Sequence, residues 1–260
     1  YDAYKKLSLV HILAISGLHV GIIAGGSFYL GIRLGLTREM TKLLLMGMLP
    51  LYCIVAGGAP SVVRACLMVM LFQLLSLGQK KLSPIILLCT ILMVLLLYNP
   101  LYLFHVGFQL SFFITFTLLM SAKVLQRLQG SGAIVQSLAV TIICQLCSMP
   151  IILYYFHEFS IWGFLLNVIY IPIYTILLLP LTFAVFSLSI INAPFSDSLA
   201  ILLELLFSFV NKTAVFVSAL PFTSLSFGKP SLLLFFILIA LIIVSFSLWE
   251  SRNRRKALQV

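Results

Sequence analysis

Residues 11–26 read HILAISGLHVGIIAGG. The stretch opens as an apolar helix and then sets Ser16, Gly17 and His19 close together, where a helix facing lipid would carry leucine. Its surroundings decide the solvent. Of 260 residues, 62% are hydrophobic and only 8% charged, and the mean hydropathy is +1.20. Such a chain has too little polar surface to cover a water-soluble core and must use lipid instead. The expected fold class is all-α, a polytopic integral membrane helical bundle. Alternation suited to a membrane barrel is absent, and helices close their own backbone hydrogen bonds in hydrocarbon.

Crossing about 30 Å of hydrocarbon takes roughly 20 apolar residues. Spans are expected near 8–31, 43–58, 61–78, 84–98, 104–122, 133–155, 161–190, 198–220 and 231–249. This amounts to about 8–9 membrane segments, some kinked, re-entrant or interfacial, with 43–58 and 84–98 notably short. No soluble linker or repeat interrupts them, so residues 1–260 read as a single membrane domain. Residue 1 is Tyr rather than Met and no cleavable leader is visible, so a segment of a longer chain is expected.

The net charge of +10 reports topology before it reports partners. Arg33, Arg38 and Lys42 sit in one loop region, Lys80 and Lys81 in the next but one, Lys123 and Arg127 two further on, and Arg252, Arg254, Arg255 and Lys256 at the end. If every span crosses once, these fall on one side, as the positive-inside rule expects for the cytoplasm. Lys5 and Lys6 are the exception. Asp197, Glu204 and Asn211, seven residues apart, mark 197–220 as interfacial or pore-lining if one crossing is false.

Within the opening stretch, Gly17, Gly21 and Gly25 recur every fourth residue, a ridge on which another helix can pack closely. His19 lies roughly 160° from the ridge centre at about 100° per residue, with Ser16 on the same general side. The pair either braces neighbouring helices or lines a polar path, since intramembrane ionisable groups face a bundle interior or water. His11 and His19 are about 12 Å apart on a continuous helix with no acidic or Cys partner nearby, so no metal is expected. Ser16 as a nucleophile would make an intramembrane serine hydrolase, but AISGLH is not a GxSxG elbow.

Three further stretches carry polar groups. In GGAPSVVRACLM (57–68), Pro60 suits a first helical turn, Ser61 can satisfy a free amide, and Arg64 follows one turn inside. That arginine needs an anion, an acceptor cluster or water; it either snorkels to headgroups or meets a polyanion from outside. In LFHVGFQLSFFITF (103–116), Phe104, Phe108, Phe112 and Phe116 form a stripe flanked by Ser111 and Thr115 on one side and His105 and Gln109 on the other. The rings either pack helices or stack bases, and Gln109 must find partners inside or meet water. Pro172 and Pro180 free the carbonyls of Val168 and Ile176, so a kink or split is expected, with Asn167 bonding a freed carbonyl or touching substrate. The CxxC of Cys144 and Cys147 reads as ordinary small apolar residues.

HILAISGLHVGIIAG, APSVVRACLM, VGFQLSF and LLNVIYIPIYTILLLPL, in this order within residues 8–190, resemble the membrane competence domain of the ComEC family of DNA-uptake proteins. The resemblance implies a channel in the bacterial cytoplasmic (inner) membrane that passes single-stranded DNA during natural transformation. Carried over by motif, the residues of interest are Ser16, Gly17 and His19; Ser61 and Arg64; Phe108, Gln109 and Ser111; and Asn167 and Pro172. It also implies flanking OB-like and metallo-β-lactamase-like domains of the parent chain, where any nuclease activity would reside. A DNA receptor and a cytoplasmic ATP-driven motor are expected as partners, because no GxxxxGK[ST] motif is present. Residues 8–10 lack the glycine usual before the first histidine, and 191–260 reads only as additional membrane or amphipathic helices and a basic tail. No catalytic set or cofactor is expected; a secondary transporter of a small solute, built on broken helices, is the other open class.

Overall fold

The computed structural model describes all residues except 1, 8, 10–16, 81, 129, 192–194, 221, 222, 224, 227–229 and 258–260. The helices in chain order are α1 (Asp2–Lys6), α2 (Gly17–Arg33), α3 (Arg38–Val55), α4 (Pro60–Leu77), α5 (Pro84–Tyr98), α6 (Val106–Arg127), α7 (Ala133–Phe156), α8 (Ile161–Pro172), α9 (Leu179–Ile190), α10 (Ser196–Ser218) and α11 (Leu232–Ala257). They fall into two compact units. One comprises Ile15–Phe156 with Lys229–Val260, the other Tyr1–Ala14 with His157–Gly228.

Helix boundaries in the larger unit follow from local chemistry. The Thr37 hydroxyl accepts from the Met40 N–H at 3.2 Å, and the Ser83 hydroxyl from the Ile86 N–H at 3.3 Å. Each satisfies one of the amides that a helix start leaves free. Gly57 and Gly58 turn the chain between α3 and α4 with φ of 77° and 63°, a backbone that side chains resist. Asn99 ends α5, and its side chain accepts from the Leu101 N–H at 3.0 Å, starting a single 3-10 stretch at Pro100–Phe104.

Two apolar clusters hold this unit. Val20, Ala24, Leu45, Leu49, Val62 and Cys66 join α2, α3 and α4. Leu88, Ile91, Leu95, Phe108 and Phe112 join α5 to α6. Outward faces stay apolar as well: Val55 is 86% exposed and Leu97 80%, a surface that only lipid or another apolar body can cover.

In the smaller unit, Tyr4, Leu7, Leu9, Tyr170, Leu178, Val210 and Ala214 form the core. Ser160 caps α8 by accepting from the Gly163 N–H at 2.9 Å while donating to the Thr223 carbonyl at 2.7 Å. Beside it, β1 (Glu158–Phe159) pairs antiparallel with β2 (Leu225–Ser226). Gly163 lies directly against the Leu7 carbonyl, where a Cβ would not fit.

The prolines do not split the following helix. Between α8 and α9 the chain winds as a π-helix over Ile173–Leu178, and the Leu179 N–H reaches back to the Tyr174 carbonyl. The wider turn gives room to the Pro180 ring, which in an α-helix would press on the Ile176 carbonyl.

Among the described residues, five helices are long and apolar enough to cross a membrane: Pro60–Leu77, Val106–Arg127, Val135–Phe156, Leu165–Ile190 and Ser196–Ser218. The larger number expected from hydropathy is not reached, for physical reasons. The α5 helix has 15 residues, the described part of α2 has 17, and α3 carries Arg38, Glu39 and Lys42 in its first turns.

A buried arginine with neutral partners

Arg64 sits one turn into α4, after Pro60 has set the first turn and Ala59 has taken the cap position without a side-chain bond. It is 8% exposed. Its Nη1 donates to the Ser111 carbonyl and to the Thr115 hydroxyl on α6. Thr115 in turn donates to the same Ser111 carbonyl at 2.8 Å. The guanidinium carbon lies 5.9 Å from the centroid of the Phe112 ring. On the far side is Gly17: a Cβ there would stand 2.6 Å from Arg64 Nη2 and 3.3 Å from Ala65 Cβ. Any side chain at residue 17 would require the guanidinium end to shift.

Two buried polar atoms in this cluster, Arg64 Nε and Ser111 Oγ, have no hydrogen-bond partner among the described residues. The acidic residues are Asp2, Glu39, Glu158, Asp197, Glu204 and Glu250, and among the described residues none pairs with Arg64. A buried full charge with only neutral acceptors is costly. The positive end of the α4 dipole raises that cost. The arrangement is therefore poised to accept an anion.

The structure brings Gly17, Arg64 and Ser111 together and separates the other candidates. Gln109, two residues before Ser111, donates through Nε2 to the Leu103 carbonyl at 2.7 Å and to the Tyr155 hydroxyl at 2.8 Å, bracing the start of α6 against the end of α7. Phe108 is 2% exposed, 5.6 Å from the Tyr102 ring and 4.5 Å from the Phe112 ring. At this position the aromatic stripe packs α5 against α6. His19 and Ser61 are half-buried on α2 and α4. Ser16 and His11 lie outside the described residues.

Gly21 and Gly25 also depart from expectation. Both are exposed, and a Cβ on either would meet nothing within 4 Å. Among the described residues the close helix contact expected along the whole ridge is absent there, and α2 buries Val20 and Ala24 instead. In the smaller unit, Asn167 is 1% exposed, and neither polar atom of its amide has a partner among the described residues. Without a partner, it does not bond the carbonyl that Pro172 leaves free.

Sequence reasoning left Thr115 on the flank of a stripe and missed Tyr155 altogether. The Ser111–Thr115 spacing of four was the available signal for the first. Nothing in the YYFHEFS stretch distinguishes Tyr155 from Tyr154. Also missed was the cluster in which the Tyr4 hydroxyl lies 3.1 Å from that of Tyr174 and donates to Asn211 Oδ1 at 2.7 Å.

Apolar outward faces, five helices of membrane length and a buried cationic site define a helical membrane protein. The chain matches the family model Competence, described as competence protein, over residues 1–252. It is 39% identical over 251 residues to ComE operon protein 3 of Bacillus subtilis (strain 168), an alignment covering 96% of this chain and 32% of that protein. This chain belongs to the Competence protein family. It spans about a third of the length of that relative. No solved structure matches it.

Proposed function

We propose that this domain forms the passage through which one strand of DNA crosses the bacterial cytoplasmic membrane during natural transformation, with about 8–9 membrane segments once the shorter helices are counted. Family membership and the order of the four motifs support DNA uptake. What favours a passage for a polyanion is Arg64, a buried cation whose described partners are all neutral and whose Nε is unpaired. Guanidinium matches phosphate in charge and geometry.

In this reading Arg64, Ser111 and Thr115 receive phosphates, with Ser61 three residues before Arg64 and His19 two residues after Gly17. Asn167, unpaired and buried, is a second polar contact. Gln109 holds the mouth of α6 in shape. The domain guides and shields; it breaks no bond. A DNA receptor outside and an ATP-driven motor inside supply capture and force, and flanking OB-like and metallo-β-lactamase-like domains belong to the same machine.

The test is transformation frequency of Arg64→Gln and Arg64→Lys cells at matched membrane abundance. Arg64→Gln is expected to lose tenfold or more, on the order of 1.4 kcal/mol, and Arg64→Lys to recover only part, because lysine lacks the planar fork. Wild-type frequency in Arg64→Gln cells refutes the role.

A further inference from the structure

The larger unit carries an open cavity of about 400 Å3 between α2, α3 and α4, within the roughly 300–1,000 Å3 typical of small-ligand sites. Its floor is Gly21 and Gly25, and Phe28 and Phe72 are among its walls. One end is polar. There Lys42 Nζ donates to Ser76 Oγ at 2.7 Å, and Gln73 borders the pair.

Helix direction places that end. The close contact of Gly31 with Thr41 brings the end of α2 to the start of α3, and the Lys42–Ser76 bond brings the end of α4 there too. Arg33 at the end of α2, Arg38 at the start of α3 and Lys80 just beyond α4 lie at this end, with Glu39 as the acidic residue among them. The cavity therefore combines an apolar, glycine-floored body with a terminus of net positive charge.

We infer that this groove binds one anionic phospholipid, its acyl chain along Gly21 and Gly25 and its phosphate on Lys42. The charge selects the occupant. An apolar helix from a second copy would fill the glycine floor and leave the ammonium without an anion, whereas a phospholipid satisfies both ends. The site is separate from the Arg64 cluster and does not depend on the transport reading.

The test uses the full-length protein in mild detergent, supplied with phosphatidylglycerol or phosphatidylcholine, with bound lipid counted by native mass spectrometry. One phosphatidylglycerol per chain is expected in preference to phosphatidylcholine. Lys42→Gln should reduce that preference about fivefold, the factor contributed by one basic residue near an anionic surface. Lys42→Arg and Ser76→Ala should keep it, since both retain the cation. Gly25→Leu, which fills the floor, should abolish retention of either lipid. Should Gly25→Leu fail to fold, the Lys42→Gln and Lys42→Arg pair still decides. Equal binding of the two lipids, an unchanged preference in Lys42→Gln, or a dimer that Gly25→Leu dissociates would each overturn the inference.

Discussion

Replacing Gly17 by alanine tests the Arg64 cluster without touching a charge. The new methyl would stand 2.6 Å from Arg64 Nη2 and 3.3 Å from Ala65 Cβ, so the guanidinium must swing away from α2. Swinging strains or breaks its bonds to Ser111 and Thr115, and overpacking of this kind costs about 1–3 kcal/mol. Opposing it is the helix propensity gained, at most about 0.5–1 kcal/mol for Gly to Ala in a helix interior and less in a first turn. The clash wins, and Gly17→Ala should be destabilised by about 1–2 kcal/mol, with lower transformation frequency. A double-mutant cycle separates this cause from others. In an Arg64→Gln background the atom that collides is gone, so the same substitution should become neutral or slightly stabilising, a coupling within about 0.5–3 kcal/mol. Unfolding free energies from titration of mixed micelles with SDS provide the measurement. An equal cost of Gly17→Ala in both backgrounds would refute the contact as the reason for glycine at this position.

Thr115→Val removes one of the two acceptors of Arg64 at nearly constant volume; a loss of about 1–3 kcal/mol and reduced uptake are expected, read from SDS unfolding and transformation frequency. Tyr155→Phe deletes one of the two bonds made by Gln109 Nε2 and should cost about 1 kcal/mol while transformation stays near wild type, because Gln109 keeps its bond to the Leu103 carbonyl. Asn167→Leu should raise the thermal midpoint, since a buried amide without partners is replaced by an apolar side chain, yet lower uptake if that amide meets DNA; a raised midpoint with unchanged uptake would remove Asn167 from the path.

Hydropathy placed the helices well because membrane helices are dictated by composition over a window, and the start of α4 was legible from Pro60. Side-chain direction was not. Gly21 and Gly25 repeat like a packing ridge, but whether a neighbour occupies the space depends on how α3 and α4 cross α2, which no local spacing encodes. Phe108 and Phe116 share a stripe, yet only Phe108 is fully buried, because α5 covers one part of it. The two prolines announced a missing N–H each, and the chain answered with wider turns rather than a break. The contact of Tyr4 with Asn211 spans 207 residues and had no signal at all. By contrast, Arg64 was visible at once, since a lone arginine beyond a helix start in an apolar chain is expensive wherever it points.

Why the bundle keeps that expense bears on the transport reading. Insertion scales put an arginine at a helix centre at about 2.5–3.5 kcal/mol, an upper bound for Arg64 one turn inside α4, and a single glutamate or aspartate opposite it could offset much of this. None of the chain's six acidic residues takes that place among the described residues. A permanent carboxylate would hold the guanidinium in a closed ion pair, and an entering phosphate would first have to displace it, losing one charge-assisted contact for each one made. Neutral acceptors such as the Ser111 carbonyl and the Thr115 hydroxyl hold the side chain in position without neutralising it. In the transport reading the charge then stays available to a passing anion, and a phosphate held by one guanidinium alone would leave readily. Installing glutamate at Ser111 makes the contrast measurable: Ser111→Glu should stabilise the folded domain against SDS and abolish transformation together, whereas a site with a purely architectural arginine would gain stability and keep its uptake.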